Sequence, residues 1–158
     1  MRRAVLLPAV LLALPLAGCA PTVTMTPAPQ ATSVRCAGMI VRLPDDIAGA
    51  GRRSTDAQGT AAWGVPASVT LTCGVVTPEV TGTPCQTVGG IDWLVASKRI
   101  QGTTRRVLTT YGRSPGTQVV VDAAQVAPDT VLEALSEPIA AATRRTGQRC
   151  LSVSGTNP

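Results

Sequence analysis

The side chains able to carry chemistry in this sequence are few, and their spacing limits what they can do. His is absent, which excludes a Ser/His/Asp or Cys/His catalytic system, an imidazole proton shuttle and any metal site that uses imidazole. Asp45 and Asp46 are adjacent, so on a helix they diverge instead of sharing a substrate, and they read as negative charge at the start of the segment after Pro44. Lys98 is the single lysine, and Ser97-Lys98 lacks the Ser-x-x-Lys spacing of serine/lysine acylases. Gly89-Gly90 has no phosphate-loop context and reads as a bulge. No cofactor motif appears, and catalysis is not expected. What remains could recognise a ligand: Trp63, Asp92, Trp93, Tyr111, Arg113 and Arg53. The two Trp and one Tyr are all the aromatics in the chain, and Arg113 offers a planar fork to a carboxylate or phosphate. Around a pocket at one sheet edge these residues would form a binding site. Turned inward, the Trp rings would be core and Asp92 with Arg113 an internal ion pair.

The elements that must position them follow from periodicity. Cys36, Met39, Ile40, Leu43 and Ile47 recur at three- and four-residue steps, which predicts a short first helix ended or kinked by Pro44. Gly49, Gly51 and Gly59 bracket a polar stretch read as a loop. From 67 to 121 the period is two: Val69, Leu71, Cys73; then Ile91, Trp93, Val95; then Val107, Thr109, Tyr111; then Val119, Val121. Short connections between these strands predict a four-stranded antiparallel meander. A last helix is expected behind a Thr130/Glu133 capping box, with Val131, Leu132, Leu135, Ile139 and Ala142 as its apolar stripe, Pro138 kinking it, and Arg144 and Arg145 at its C-terminal end. The expected fold is α+β, with both helices packed on one face of the sheet.

Apart from Cys19, the cysteines are Cys36, Cys73, Cys85 and Cys150, an even number in an aromatic-poor chain, which points to disulfides. A meander favours Cys73 with Cys85 across one turn and Cys36 with Cys150 clamping the ends. The alternative is Cys36 with Cys73 and Cys85 with Cys150. No Cys-x-x-Cys spacing favours zinc, and no metal is expected.

Compartment is written at the N-terminus. Met1-Arg2-Arg3 is basic, Ala4 to Leu16 is apolar but broken by Pro8 and Pro15, and Leu16-Ala17-Gly18-Cys19 follows. That stretch is too short for the roughly 20 residues of a membrane span and reads as an export signal. The small residues before Cys19 resemble the lipobox of bacterial lipoproteins, which implies cleavage after Gly18 and a diacylglyceryl thioether on Cys19. Two acyl chains hold a protein stably on a bilayer, where one holds it marginally. The expected organisation is a signal peptide at 1–18, a lipidated Cys19 with a Thr/Pro-rich tether to 33, a domain at 34–153 and a tail at 154–158. The uncharged tether reads as an extended spacer about 40 Å long at ~3.1 Å per residue. Removing Arg2 and Arg3 leaves 12 basic against 9 acidic residues, too small an excess to argue for nucleic-acid binding.

Ala61-Ala62-Trp63-Gly64-Val65-Pro66, Gly90-Ile91-Asp92-Trp93, Thr110-Tyr111-Gly112-Arg113-Ser114-Pro115, Cys73-Gly74-Val75 and Leu43-Pro44 together resemble the actinobacterial family of unknown function DUF3515, over about residues 35 to 145. Val65 stands where an Asp is commoner in that family. The resemblance implies a small exported or lipid-anchored domain without an assigned activity, with a link to the cell wall. The expectation is a non-catalytic accessory module at the outer face of the cytoplasmic membrane, contacting an envelope protein or wall component. The alternative is a binder of an anionic wall precursor or lipid through Arg113 and the aromatics. Intact-mass analysis of the membrane-extracted protein should find a chain that starts at a diacylglycerylated Cys19; a bare thiol there contradicts the anchor.

Overall fold

The computed structural model of the protein describes residues 21–79 and 81–151, so the expected signal peptide at 1–18, Cys19 and the expected 154–158 tail lie outside the described residues. In chain order the elements are helix α1 (Val34–Ile40) and strands β1 (Asp46–Ile47), β2 (Ala50–Arg53), β3 (Thr60–Trp63), β4 (Val69–Val75), β5 (Cys85–Val88), β6 (Ile91–Ile100), β7 (Thr103–Tyr111), β8 (Arg113–Ser114) and β9 (Gly116–Val121). Helix α2 (Pro128–Ala142) and strand β10 (Arg144–Arg145) follow. The α+β class holds, but the four-stranded meander does not. One antiparallel sheet contains eight strands in the order β1-β2-β3-β4-β9-β7-β6-β5, and β8 pairs with β10 separately.

The four predicted strands exist as β4, β6, β7 and β9, because Val, Leu and Ile alternate there with Thr and Ser. Their order differs: β9 inserts between β4 and β7, pairing Leu71 with Val119 and Val119 with Leu108. The connection at 76–84 therefore runs from mid-sheet to the far edge instead of closing a hairpin. The stretch read as a polar loop contributes β2, which joins β3 through Arg52 opposite Trp63.

Register aligns Trp63, Val69 and Val121 in one row and Ala61, Leu71, Val119 and Leu108 in the next, all buried. Cys36 and Met39 of α1 and Val131, Leu132, Leu135 and Ile139 of α2 close over this face in a single cluster. Both helices thus cover one face, as expected. Ser33 caps α1 by accepting from the Cys36 N–H at 3.2 Å. Helix α2 departs from expectation: it opens at Ala127-Pro128 with no side-chain cap, so the Thr130/Glu133 box is not formed. Pro128 supplies the start instead, since its missing N–H costs nothing in a first turn. Helix α2 runs through Pro138, and Arg144 and Arg145 leave it to form β10.

The disulfides are Cys36–Cys73 and Cys85–Cys150, each with Cα atoms 5.6 Å apart. The favoured pairing of Cys73 with Cys85 is corrected by the strand order. Four strand steps of ~4.8 Å separate β4 from β5, about 19 Å, well beyond disulfide reach. One bridge pins α1 to the sheet centre; the other pins the C-terminal segment to the sheet edge. With sequence separations of 37 and 65, each contributes about 4 kcal/mol in the chain-entropy account.

Residues 21–33 are not the free spacer their composition suggests. The Val23 N–H donates to Ser54 O at 2.9 Å, the Asp56 N–H to Val23 O at 3.3 Å, and the Gln30 N–H to Gly74 O at 3.1 Å, while Ala31 is buried. The Met25 N–H donates to Asp56 Oδ1 at 2.8 Å and holds that carboxyl below the usual carboxylate range. Backbone bonds, which composition does not report, hold this segment. Gly74 makes the approach possible: at φ +95° it presents bare Cα, and a Cβ would fall on the Gln30–Ala31 peptide. Gly74→Ala should cost about 1–3 kcal/mol in denaturant unfolding and expose residues 21–33 to proteolysis; an unchanged midpoint and cleavage pattern would contradict this docking.

Candidate functional site

Where β6 begins and β7 ends, Asp92 and Tyr111 sit opposite each other in the ladder. Gly112, at φ +64°, turns the chain out of β7 into β8. Arg113 then pairs with Arg145, which places two guanidinium-bearing residues side by side on a two-residue ladder. Beyond β10 the chain returns as a strap. The Thr146 N–H donates to Gly112 O at 3.0 Å, and the strap lies so close that a Cβ on Gly112 would strike the Gln148 carbonyl. Asp92 secures its end, Oδ2 accepting from the Cys150 N–H at 2.8 Å and Oδ1 from the Thr87 hydroxyl at 2.6 Å. The Cys85–Cys150 disulfide locks the strap to β5.

Strap and sheet edge enclose a cleft of about 340 Å³, lined by Asp92, Tyr111, Arg113, Arg145, Arg149 and Cys150 among others. Arg113 is only 8% exposed. Burial, and then the neighbouring positive charge of Arg145, push its guanidinium below the ordinary arginine range, with Asp92 opposing. An arginine stays protonated under such conditions, so the cleft holds a poorly solvated positive charge next to a second one. The internal Asp92–Arg113 ion pair is not formed; among the described residues the ion pair within 4 Å is Arg105–Asp122, at 3.8 Å. Tyr111 lines the cleft, and its hydroxyl donates to Glu79 O at 2.9 Å.

Of the six candidate binding residues, the fold brings together Asp92, Tyr111 and Arg113. Trp63 and Trp93 are core: both are fully buried, their indole N–H groups donating to Pro44 O at 2.9 Å and Val88 O at 3.4 Å. Arg53 lies on β2, five strand steps or about 24 Å across the sheet from β6. Its guanidinium is clasped by the carbonyls of Gly64 and Pro21. With Arg52 and Asp45 it lines a separate cavity of about 480 Å³. Arg52 is likewise committed to backbone, donating to Ile40 O at 2.8 Å and Leu43 O at 3.2 Å, so these cations hold the fold. Sequence reasoning missed Arg145 and Arg149. The signal was the basic run Arg144-Arg145-Thr146-Gly147-Gln148-Arg149 ahead of Cys150, a turn-forming string tied down by a disulfide.

The family model described as "Protein of unknown function (DUF3515)" matches residues 4–147, most of the chain. The chain belongs to the DUF3515 family. Comparison with curated proteins and with solved structures finds no match. Membership in DUF3515 brings no assigned activity, so the cleft must be read from its own chemistry.

Because the disulfide holds the strap that carries Arg145 and Arg149, removing it should empty the cleft of two cations while sparing the main core. A Cys85→Ser/Cys150→Ser protein should keep its far-UV circular dichroism and lose protease resistance selectively at 143–151. Uniform unfolding, or an unchanged digestion pattern, would show that the strap is not separately held.

Proposed function

We propose that this DUF3515 protein is an exported, lipid-anchored envelope protein whose domain binds a small anionic ligand in the Arg113 cleft without transforming it. One observation carries the binding reading: Arg113, a residue only 8% exposed and, among the described residues, with no carboxylate in ion-pair contact, lines a cavity shared with Arg145 and Arg149. Like charges held together in a half-desolvated cleft repel, and an incoming anion relieves both the repulsion and the missing solvation. Each charge-assisted hydrogen bond formed is worth about 1.5–3 kcal/mol.

Binding without turnover is favoured because Asp92, the one carboxylate lining the cleft, has both oxygens engaged by Thr87 and Cys150. It is a clamp for the strap and not a free general base. Two disulfides suit an oxidising compartment, and the Leu16-Ala17-Gly18-Cys19 string supports anchoring at the outer face of the cytoplasmic membrane. Residues 21–33 lie on the domain, so an anchor at Cys19 would seat the domain against the bilayer, with no 40 Å standoff. An envelope or cell-wall component bearing an acidic group is the partner this arrangement suits.

The test is calorimetric titration of the full chain in detergent with a panel of small anions. Binding to wild type should fall at least tenfold in Arg113→Met and in Arg145→Ala, with Tm nearly unchanged in the exposed Arg145 variant. Trp63→Phe should lower Tm and leave affinity unaltered. Equal affinity across wild type and both arginine variants would refute the site.

A further inference from the structure

Resting on the anion-binding reading, we infer that the ligand presents a dianionic phosphoryl group, a phosphomonoester or diphosphate, and not a carboxylate. Charge comes first. Arg113, Arg145 and Arg149 face the cleft against the single carboxylate of Asp92, a net charge of +2. A monocarboxylate would leave one positive charge uncompensated in a site where Arg113 is already poorly solvated, whereas a dianion neutralises it.

Geometry points the same way. Three arginines line the cleft: Arg113 on β8 pairs across the ladder with Arg145 on β10, and Arg149 follows four residues later on the same strap. A carboxylate has two oxygens in one plane and is satisfied by one or two forks lying in that plane. A phosphoryl group displays three terminal oxygens around a tetrahedron and accepts donors from several directions at once. A ladder-paired Arg113 and Arg145 with Arg149 further along the strap offer more forks than one carboxylate can use, and match the second shape. Size adds a constraint. At about 340 Å³ the cleft falls at the small end of the roughly 300–1,000 Å³ usual for ligand sites, too large for a lone phosphate. The phosphoryl group is therefore the head of a larger molecule, or one half of a diphosphate. Tyr111, which lines the cleft, is the aromatic residue available to the rest of that molecule.

The chain has no His, so a rise in affinity between pH 5 and 7.5 reports the second proton of a phosphomonoester, which leaves near pH 6. Titrating the full chain in detergent with glycerol 3-phosphate, pyrophosphate, sulfate, acetate and malonate separates the cases. Glycerol 3-phosphate should bind at least tenfold more tightly than acetate or malonate at pH 7.5 and weaken several-fold at pH 5. Sulfate, dianionic and tetrahedral throughout, should show no such slope. Arg145→Ala should abolish the preference. In a Cys19→Ser chain lacking residues 1–18, which carries no acyl anchor, vesicles containing phosphatidic acid set against vesicles containing phosphatidylglycerol then identify the source: retention on the former alone assigns a lipid headgroup, and no retention assigns a soluble phosphate. Acetate or malonate binding as tightly as glycerol 3-phosphate would overturn the phosphoryl assignment and leave the anion site standing. No binding by any probe would overturn both.

Discussion

The Cys85–Cys150 disulfide is the constraint on which the functional half of this molecule depends. Residues 144–151 follow the last helix as mostly exposed chain with a two-residue strand, too little structure to hold itself in place. Cross-linked to β5 and hydrogen-bonded to Asp92 and Gly112, the same residues become one wall of a cleft. The companion bridge, Cys36–Cys73, does comparable work for the core by fixing α1 over the middle of the sheet. Two Trp and no Phe leave the interior to Val, Leu, Ile and Ala, and covalent closure offsets what aromatic burial does not provide.

Sequence made the sheet legible only where its residues alternate. The runs around Val69, Ile91 and Val119 announce strands because β-branched and aliphatic side chains face inward at alternate positions, whereas in β7 the period holds but the phase is reversed, with Leu108 and Thr110 buried and Val107, Thr109 and Tyr111 half-buried. Strands β2 and β3, reading Ala-Gly-Arg-Arg and Thr-Ala-Ala-Trp, and β5, reading Cys-Gln-Thr-Val, are too short and too mixed in character to show a period. Their pairing comes from neighbours already in place. Strand order was less legible still. Placing β9 between β4 and β7 is a long-range choice, and the disulfide pairing follows from it, so an error in the first carried into the second.

The candidate site was half visible. Asp92, Tyr111 and Arg113 stood out through their rarity and their local strings, and the fold gathers them. The Trp residues stood out for the same reason, yet large apolar surface draws them into the core. Arg145 resembled a charge suited to a helix terminus, and only the departure of the chain into β10 turns it toward Arg113. The segment at 21–33 shows the opposite case: Pro and Thr suggest an unstructured spacer, while its backbone hydrogen bonds to Ser54, Asp56 and Gly74 bind it to the domain.

Buried positive charge awaiting an anion is the centre of this account, and anomalous diffraction tests it most directly. Crystals equilibrated with selenate, a tetrahedral dianion, should show a selenium peak in the cleft with its oxygens within hydrogen-bonding distance of the Arg113 guanidinium and at least one of Arg145 and Arg149. A cleft free of selenium, with Arg113 turned into an ion pair with Asp92, would contradict it.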